Sequence, residues 1–125
     1  MQARPSDIPL TFEGEPGSTR NDEWGTMNVG YERLAAGTDT RPLFVGLPDN
    51  RCQCPHWGYL LKGRVRVFYA DREEVIRAGE AYYMPPGHTT LVEEDCEQLH
   101  FSPQGEYRKT LAVIERNLAA ASNGS

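Results

Sequence analysis

The sequence has no apolar run approaching the roughly 20 residues that span a bilayer, no cluster of Lys and Arg, and only three cysteines. Each scarcity removes a class of function. Without an apolar span no transmembrane helix is expected. Residues 1–10 lack a basic start followed by an apolar core, so a secretory leader is not expected either. Acidic residues outnumber basic ones 18 to 13, for a net charge of −5. Polyanions are drawn to concentrated Lys and Arg, so nucleic acid and acidic membrane surfaces are excluded as partners. Three cysteines cannot all pair within one chain, and two of them, Cys52 and Cys54, are separated by a single residue. Free or metal-bound thiols in a reducing cytoplasm suit this usage better than a disulfide framework. No Ser/His/Asp triad, phosphate-binding glycine loop or paired-carboxylate glycosidase site is legible. Gly14 and Gly17 lack the strand-then-helix context that a phosphate loop needs. There is no internal repeat.

What the sequence does have is punctuation. A length of 125 residues fits one domain able to bury a core without disulfides. The 12 glycines and 9 prolines are scattered along it, as in an all-β fold divided by turns. Residues 1–22 are polar and rich in Pro, Gly and acidic side chains, and read as a flexible N-terminal arm. From Trp24 the pattern changes: Met27, Val29 and Tyr31 alternate with Asn28, Gly30 and Glu32, the period of a half-buried strand. Residues 40–47 form a second apolar run closed by Pro48-Asp49-Asn50. Residues 59–61 and 64–69 flank Lys62-Gly63 and read as a hairpin. Further short strands are expected over residues 73–77, 81–84, 89–92 and 98–101, with Glu93-Glu94-Asp95 and Arg72-Glu73-Glu74 as solvated turns. Strands every eight to ten residues, without intervening helices, predict a sandwich or barrel over residues 23–103.

After Ser102-Pro103 the period becomes helical. Tyr107, Leu111, Ile114 and Leu118 line one face of a helix placed over residues 104–120 and packed on the barrel. Ser102 suits its N-cap and Pro103 its first position. An end near Asn117 is expected, with residues 119–125 frayed.

The chemistry is concentrated in Cys52-Gln53-Cys54-Pro55-His56. In an extended strand alternate side chains share a face, so Cys52, Cys54 and His56 would line one wall. Thiolate and imidazole donors suit zinc, copper or iron better than magnesium or calcium. Buried cysteines are also ordinary small hydrophobes, and the spacing is not that of a zinc finger. His100 faces opposite to Leu99 and Phe101. If those two pack outside the barrel, His100 points inward and could carry protons near neutral pH. The aromatics Trp57, Tyr59, Tyr82, Tyr83 and Phe101 read mainly as core, some of them walling a small ligand site.

The segment ending at Gly63 resembles the first motif of the cupin superfamily, G-x5-H-x-H-x3–4-E-x6-G. Counting back from Gly63 puts His56 at the motif's glutamate, Cys52 at its second histidine, Asn50 at its first and Phe44 at its opening glycine. The run Gly79-Glu80-Ala81-Tyr82-Tyr83-Met84-Pro85-Pro86-Gly87 is similar to the first half of the second motif, G-x5-P-x-G-x2-H-x3-N. The family's third histidine falls at Thr90, two residues beyond His88, and the final Asn position at Glu94. The resemblance covers residues 27–103. It implies a jelly-roll β-barrel and a divalent metal, for which the family uses three His and one Glu. None of those four stands in place here. The candidate ligands are therefore substitutes of a softer kind: Cys52, Cys54, His56 and His88.

The resemblance implies three readings. One is a metal-dependent enzyme oxidising, isomerising or decarboxylating a small organic molecule, assisted by His100 or Tyr83. Another is a non-catalytic module that senses metal or ligand. The third is a metal-free barrel holding an organic ligand or serving a structural role. A homodimer is expected from the arm and the exposed barrel edges.

Overall fold

The computed structural model describes residues 1–123. Seven strands and one helix follow in chain order: β1 (Leu10–Gly14), β2 (Gly17–Trp24), β3 (Met27–Leu34), β4 (His56–Phe68), β5 (Glu73–Arg77), β6 (Ala81–Met84), β7 (Thr89–Pro103) and α1 (Gln104–Asn123). All pairings are antiparallel, in the order β1-β2-β3-β7-β4-β5, with β6 on the remaining edge of β4. This is an all-β architecture with a C-terminal helix, as the spacing of strands and turns predicts, and it accords with the jelly roll that the cupin resemblance implies. No helix among the described residues is long and apolar enough to cross a membrane.

Two long strands organise the sheet. The N-terminal half of β4 lies between β7 and β6, and its C-terminal half between β7 and β5. One core joins both halves: Leu60 and Met84 from the first, Val65, Val67, Ile76 and Val92 from the second. The sheet therefore curls around a shared interior.

Three readings of the sequence change here. The hairpin expected at Lys62-Gly63 is a β-bulge within one continuous strand. The pairing of β4 with β7 slips between Lys62 and Arg64. Gly63 has φ +92°, and a Cβ there would stand 2.4 Å from the Asp95 carbonyl oxygen, so a glycine marks a bend rather than a chain reversal. Glu93 and Glu94 are likewise part of β7. Glu93 accepts from Arg64 and Arg66 across the outer surface, at 2.9 Å each, so cross-strand ion pairs hold extended what charge density reads as a turn. The apolar run at residues 40–47 is no strand. Pro42 lies in a 3-10 turn, Arg41–Phe44, and Asn117 of α1 donates to the Leu43 and Val45 carbonyls.

The arm expected over residues 1–22 carries β1 and β2. The β2 strand pairs with β3 over its whole length, from Gly17 opposite Leu34 to Trp24 opposite Met27. Its side chains are polar because this edge of the sheet is mostly solvated, and backbone hydrogen bonds, blind to hydropathy, hold it. Helix α1 starts at Gln104, since Ser102 and Pro103 still belong to β7, and continues past Asn117 to Asn123. Gly124 and Ser125, part of the stretch read as frayed, lie outside the described residues.

Candidate metal centre

Register decides which side chains enter the barrel. Gly30 of β3, His100 of β7, Gly58 of β4 and Tyr82 of β6 form one cross-strand row. Glu32, Gln98 and Leu60 form the next, and Asn28 stands opposite Ser102. Leu60 is fully buried, as are Asn28 and Ser102, so these rows face inward. The alternate row, with Phe101, Trp57 and Tyr83, faces out. Trp57 stacks on Tyr83 at 5.1 Å between ring centroids, and both are exposed. Tyr83, the assisting group that the sequence suggests, therefore stands on the outer face, half exposed. Its neighbour Tyr82 turns inward instead, donating to Gln98 Oε1 at 2.9 Å.

At one end of this interior Cys52, His56 and His88 come together, their ligand atoms all within 4.8 Å of one another. The loop before β4 returns along the chain that precedes β7. Cys52 N–H donates to the His88 carbonyl at 2.8 Å, and Gly87 N–H donates to the Cys52 carbonyl at 2.7 Å. His56 opens β4 opposite Met84. The expectation that Cys52, Cys54 and His56 share a strand face does not hold. Cys52 makes an isolated bridge to His88 and the chain bends at Cys54 before β4 begins at His56, so the period-2 rule has no continuous strand to act on. Cys54 is fully buried but stands outside the ligand group. It packs with Phe44 and Cys52 beneath Tyr107 and Ile114 of α1, and its thiol reaches the Pro55 carbonyl at 3.6 Å.

The hydrogen bonds around the imidazoles assign their tautomers. A carbonyl can only accept, so His88 Nδ1–H donates to Pro85 O at 2.8 Å, leaving the Nε2 lone pair for a ligand. His56 Nδ1 lies 2.6 Å from Ser102 Oγ, and its Nε2 lies 3.7 Å from Cys52 Sγ. Burial lowers the pKa of His88, and burial with the neighbouring His100 and His88 lowers that of His56 further. Both rings are neutral at pH 7 and can donate electron pairs. Cys52 is pushed up to about 11 and Cys54 to about 12, mainly by burial. A cation must displace the Cys52 proton to bind sulfur. Thr110 of α1 lies close to the same sulfur.

His100 lies inside the barrel, 4% exposed. Its Nε2–H donates to Glu32 Oε1 at 2.6 Å, and its ring stands edge-on to that of His56 with centroids 5.3 Å apart. His88 flanks His56 on another side at 5.2 Å, so all three histidines of the chain meet here. It is not one of the three ligand groups. Ser102, Glu32 and Thr110 escape sequence reasoning. Strand parity could have placed Glu32 and Ser102 inside, but their partners come from other elements.

The donor set fits a metal ion. One thiol and two neutral imidazoles, each with its second nitrogen engaged by Ser102 or Pro85, are donor types and supporting contacts that a transition metal takes. Cys52, His56 and His88 would hold the ion, their ligand atoms already lying within 4.8 Å of one another.

A scan against family models finds no match, and neither does a search of curated proteins. Solved structures do match. A protein of unknown function from Rhizobium leguminosarum bv. viciae 3841 is similar with TM-score 0.59 and 19% identity, over 82% of this chain and 94% of that one. A point mutant of Bacillus subtilis oxalate decarboxylase is similar with TM-score 0.58 and 18% identity over 78% of this chain. A cupin-2 domain protein from Shewanella frigidimarina NCIMB 400 is similar with TM-score 0.50 and 17% identity, over 69% of this chain and 79% of that one. The chain spans only 28% of the decarboxylase. These likenesses, with the antiparallel jelly roll and its C-terminal helix, show that the fold is that of the cupins.

Proposed function

We propose that this chain is a small metal-binding cupin, holding a divalent ion through Cys52, His56 and His88 and binding or acting on a small organic molecule in the barrel. The single observation that carries the reading is the convergence of a thiol and two neutral imidazole nitrogens within 4.8 Å. Sulfur beside nitrogen favours zinc, iron or copper. The B. subtilis decarboxylase has Mn(II) centres, and the donors found here argue for a softer ion. When bound, the ion would supply Lewis-acid or redox chemistry. The chain's own residues orient the ligands, Pro85 fixing the His88 ring and Ser102 that of His56. A pocket of about 240 Å³ beside β5 and β6, lined by Val67, Tyr69, Ile76, Tyr82 and the half-exposed Tyr83, among others, supports a small organic ligand. Tyr69 links it to His88, ring centroids 6.4 Å apart.

The second reading, a non-catalytic metal or ligand sensor, draws support from α1, whose Thr110 and Tyr107 lie against Cys52 and Cys54. A reducing cytoplasmic setting fits three buried, unpaired thiols. Elemental analysis of the purified protein tests the metal directly. Stoichiometric zinc, iron or copper is expected, and its loss in Cys52→Ala and His56→Ala. Absence from wild type, with no uptake of added metal, refutes the proposal.

A further inference from the structure

The proposed ligand set leaves a question that the wall beside it answers. Three protein donors leave a four-coordinate ion such as zinc one position short, and that fourth position goes either to another side chain or to an exchangeable ligand. Cys54, the natural fourth donor by sequence, stands outside the group. His100 is also outside it, but its ring abuts that of His56.

The hydrogen bonding of His100 is lopsided. Its Nε2 is committed to the Glu32 carboxylate at 2.6 Å, and Nδ1 is buried with no partner. The carboxylate accepts, so Nε2 carries a proton, and in the neutral ring Nδ1 presents a bare lone pair. A buried acceptor without a donor costs about 1–3 kcal/mol and is rare in folded proteins. The ring is also held against rotation. Gly30 lies so close that a Cβ there would stand 2.6 Å from both His100 Cε1 and Nε2. The imidazole is fixed, its tautomer is set, and its free nitrogen calls for an N–H or O–H.

Building on the metal reading above, we propose that His100 Nδ1 is the acceptor for a protic fourth ligand of the ion, a water molecule, which makes the position exchangeable. Glu32 acts through His100 as a positioning residue by dictating the tautomer. The site is then of the open kind, able to exchange its water for a substrate atom, and a closed four-residue clamp is excluded.

Cobalt(II) and azide test this without any assay of activity. Cobalt(II) bound beside a thiolate gives a near-ultraviolet charge-transfer band, and azide entering the fourth position shifts the visible spectrum saturably. Azide offers no proton, so in wild type it must displace a water that His100 holds. His100→Ala removes that hold. Glu32→Gln offers an amide N–H to Nε2 and moves the ring proton to Nδ1, where it can donate to azide. Both variants are expected to bind azide about three- to tenfold more tightly, the ratio that an ordinary net hydrogen bond corresponds to. Residues that serve only structure would weaken azide binding or lose the cobalt. Failure of wild type to bind cobalt would refute the metal reading and this inference with it. Stoichiometric cobalt whose spectrum azide does not change would overturn the inference alone. So would azide affinity unchanged or weakened in both variants.

Discussion

Gly30→Ala probes the barrel interior most sharply, because the structure predicts that its effect changes sign with the background. An added Cβ would meet His100 Cε1 and Nε2 at 2.6 Å, whereas ordinary carbon contacts begin near 3.5 Å. The imidazole must retreat by nearly an ångström, which breaks the 2.6 Å bond from Nε2 to Glu32. Hydrogen bonds to charged groups contribute about 1.5–3 kcal/mol, and that is the expected loss in wild type. Replacing His100 by Ala removes that obstacle and leaves Asn21 Oδ1, at 3.2 Å, to yield by a few tenths of an ångström. Gly30 has no left-handed φ, so alanine there then acts mainly by restricting the unfolded chain, a gain of about 0.4–1 kcal/mol. The two substitutions should therefore couple by roughly 2–4 kcal/mol in a double-mutant cycle, the sum of those two contributions. Equilibrium unfolding in urea of wild type, both single variants and the double variant measures this. Additive effects within about 0.5 kcal/mol would refute the packing of His100 against β3.

Cys52→Ser should abolish stoichiometric metal, while Cys54→Ser should retain it, since only Cys52 offers a ligand atom to the group; elemental analysis after dialysis distinguishes them. Leu60→Ala, at a fully buried position in the shared core, should cost about 2–5 kcal/mol in denaturant titration without changing metal content. The metal-free protein should lose stability as pH falls. Burial holds the folded-state pKa of His56 and His88 below the ordinary 6.5, so the unfolded chain binds protons first. That contribution is fully present above about 6.5 and declines as pH drops toward the folded values, which unfolding midpoints at pH 7.5 and 5.5 would register. Dimerisation should follow from the outer sheet face, where Trp57, Tyr59, Leu61 and Tyr83 are 42–51% exposed. These four present on the order of 400 Å², about half of what one partner contributes to a stable dimer, and Leu99 and Phe101 border them. Sedimentation should give a dimer at micromolar concentration and a monomer for Trp57→Glu with Tyr83→Glu.

The elements that were legible in the sequence have local causes. Strands β3, β5 and β6 are alternating or compact apolar runs between turn residues, and α1 announces itself by the spacing of Tyr107, Leu111 and Ile114. Errors arose where distant chain supplied the cause. Gly63 reads as a turn because its partner across the bulge, Asp95, lies 32 positions away. The β2 strand reads as an arm because β3 pairs with its backbone and asks little of its side chains. Tyr82 and Tyr83 are equally aromatic, and only the register of β6 on β4 decides which one enters the barrel.

The sequence by itself determined the class of fold, an all-β barrel with one terminal helix, because period and turn chemistry are properties of neighbouring residues. It also determined the palette of donors, two thiols and the imidazoles, since these are facts of composition. Tertiary structure alone decided which of them meet. Cys52 joins His88 through a bridge between segments 36 positions apart, Cys54 is turned away by a bend, and His100 meets Glu32 across the β3–β7 ladder. Convergence depends on the closing of a curved sheet, and no local window of residues contains that geometry.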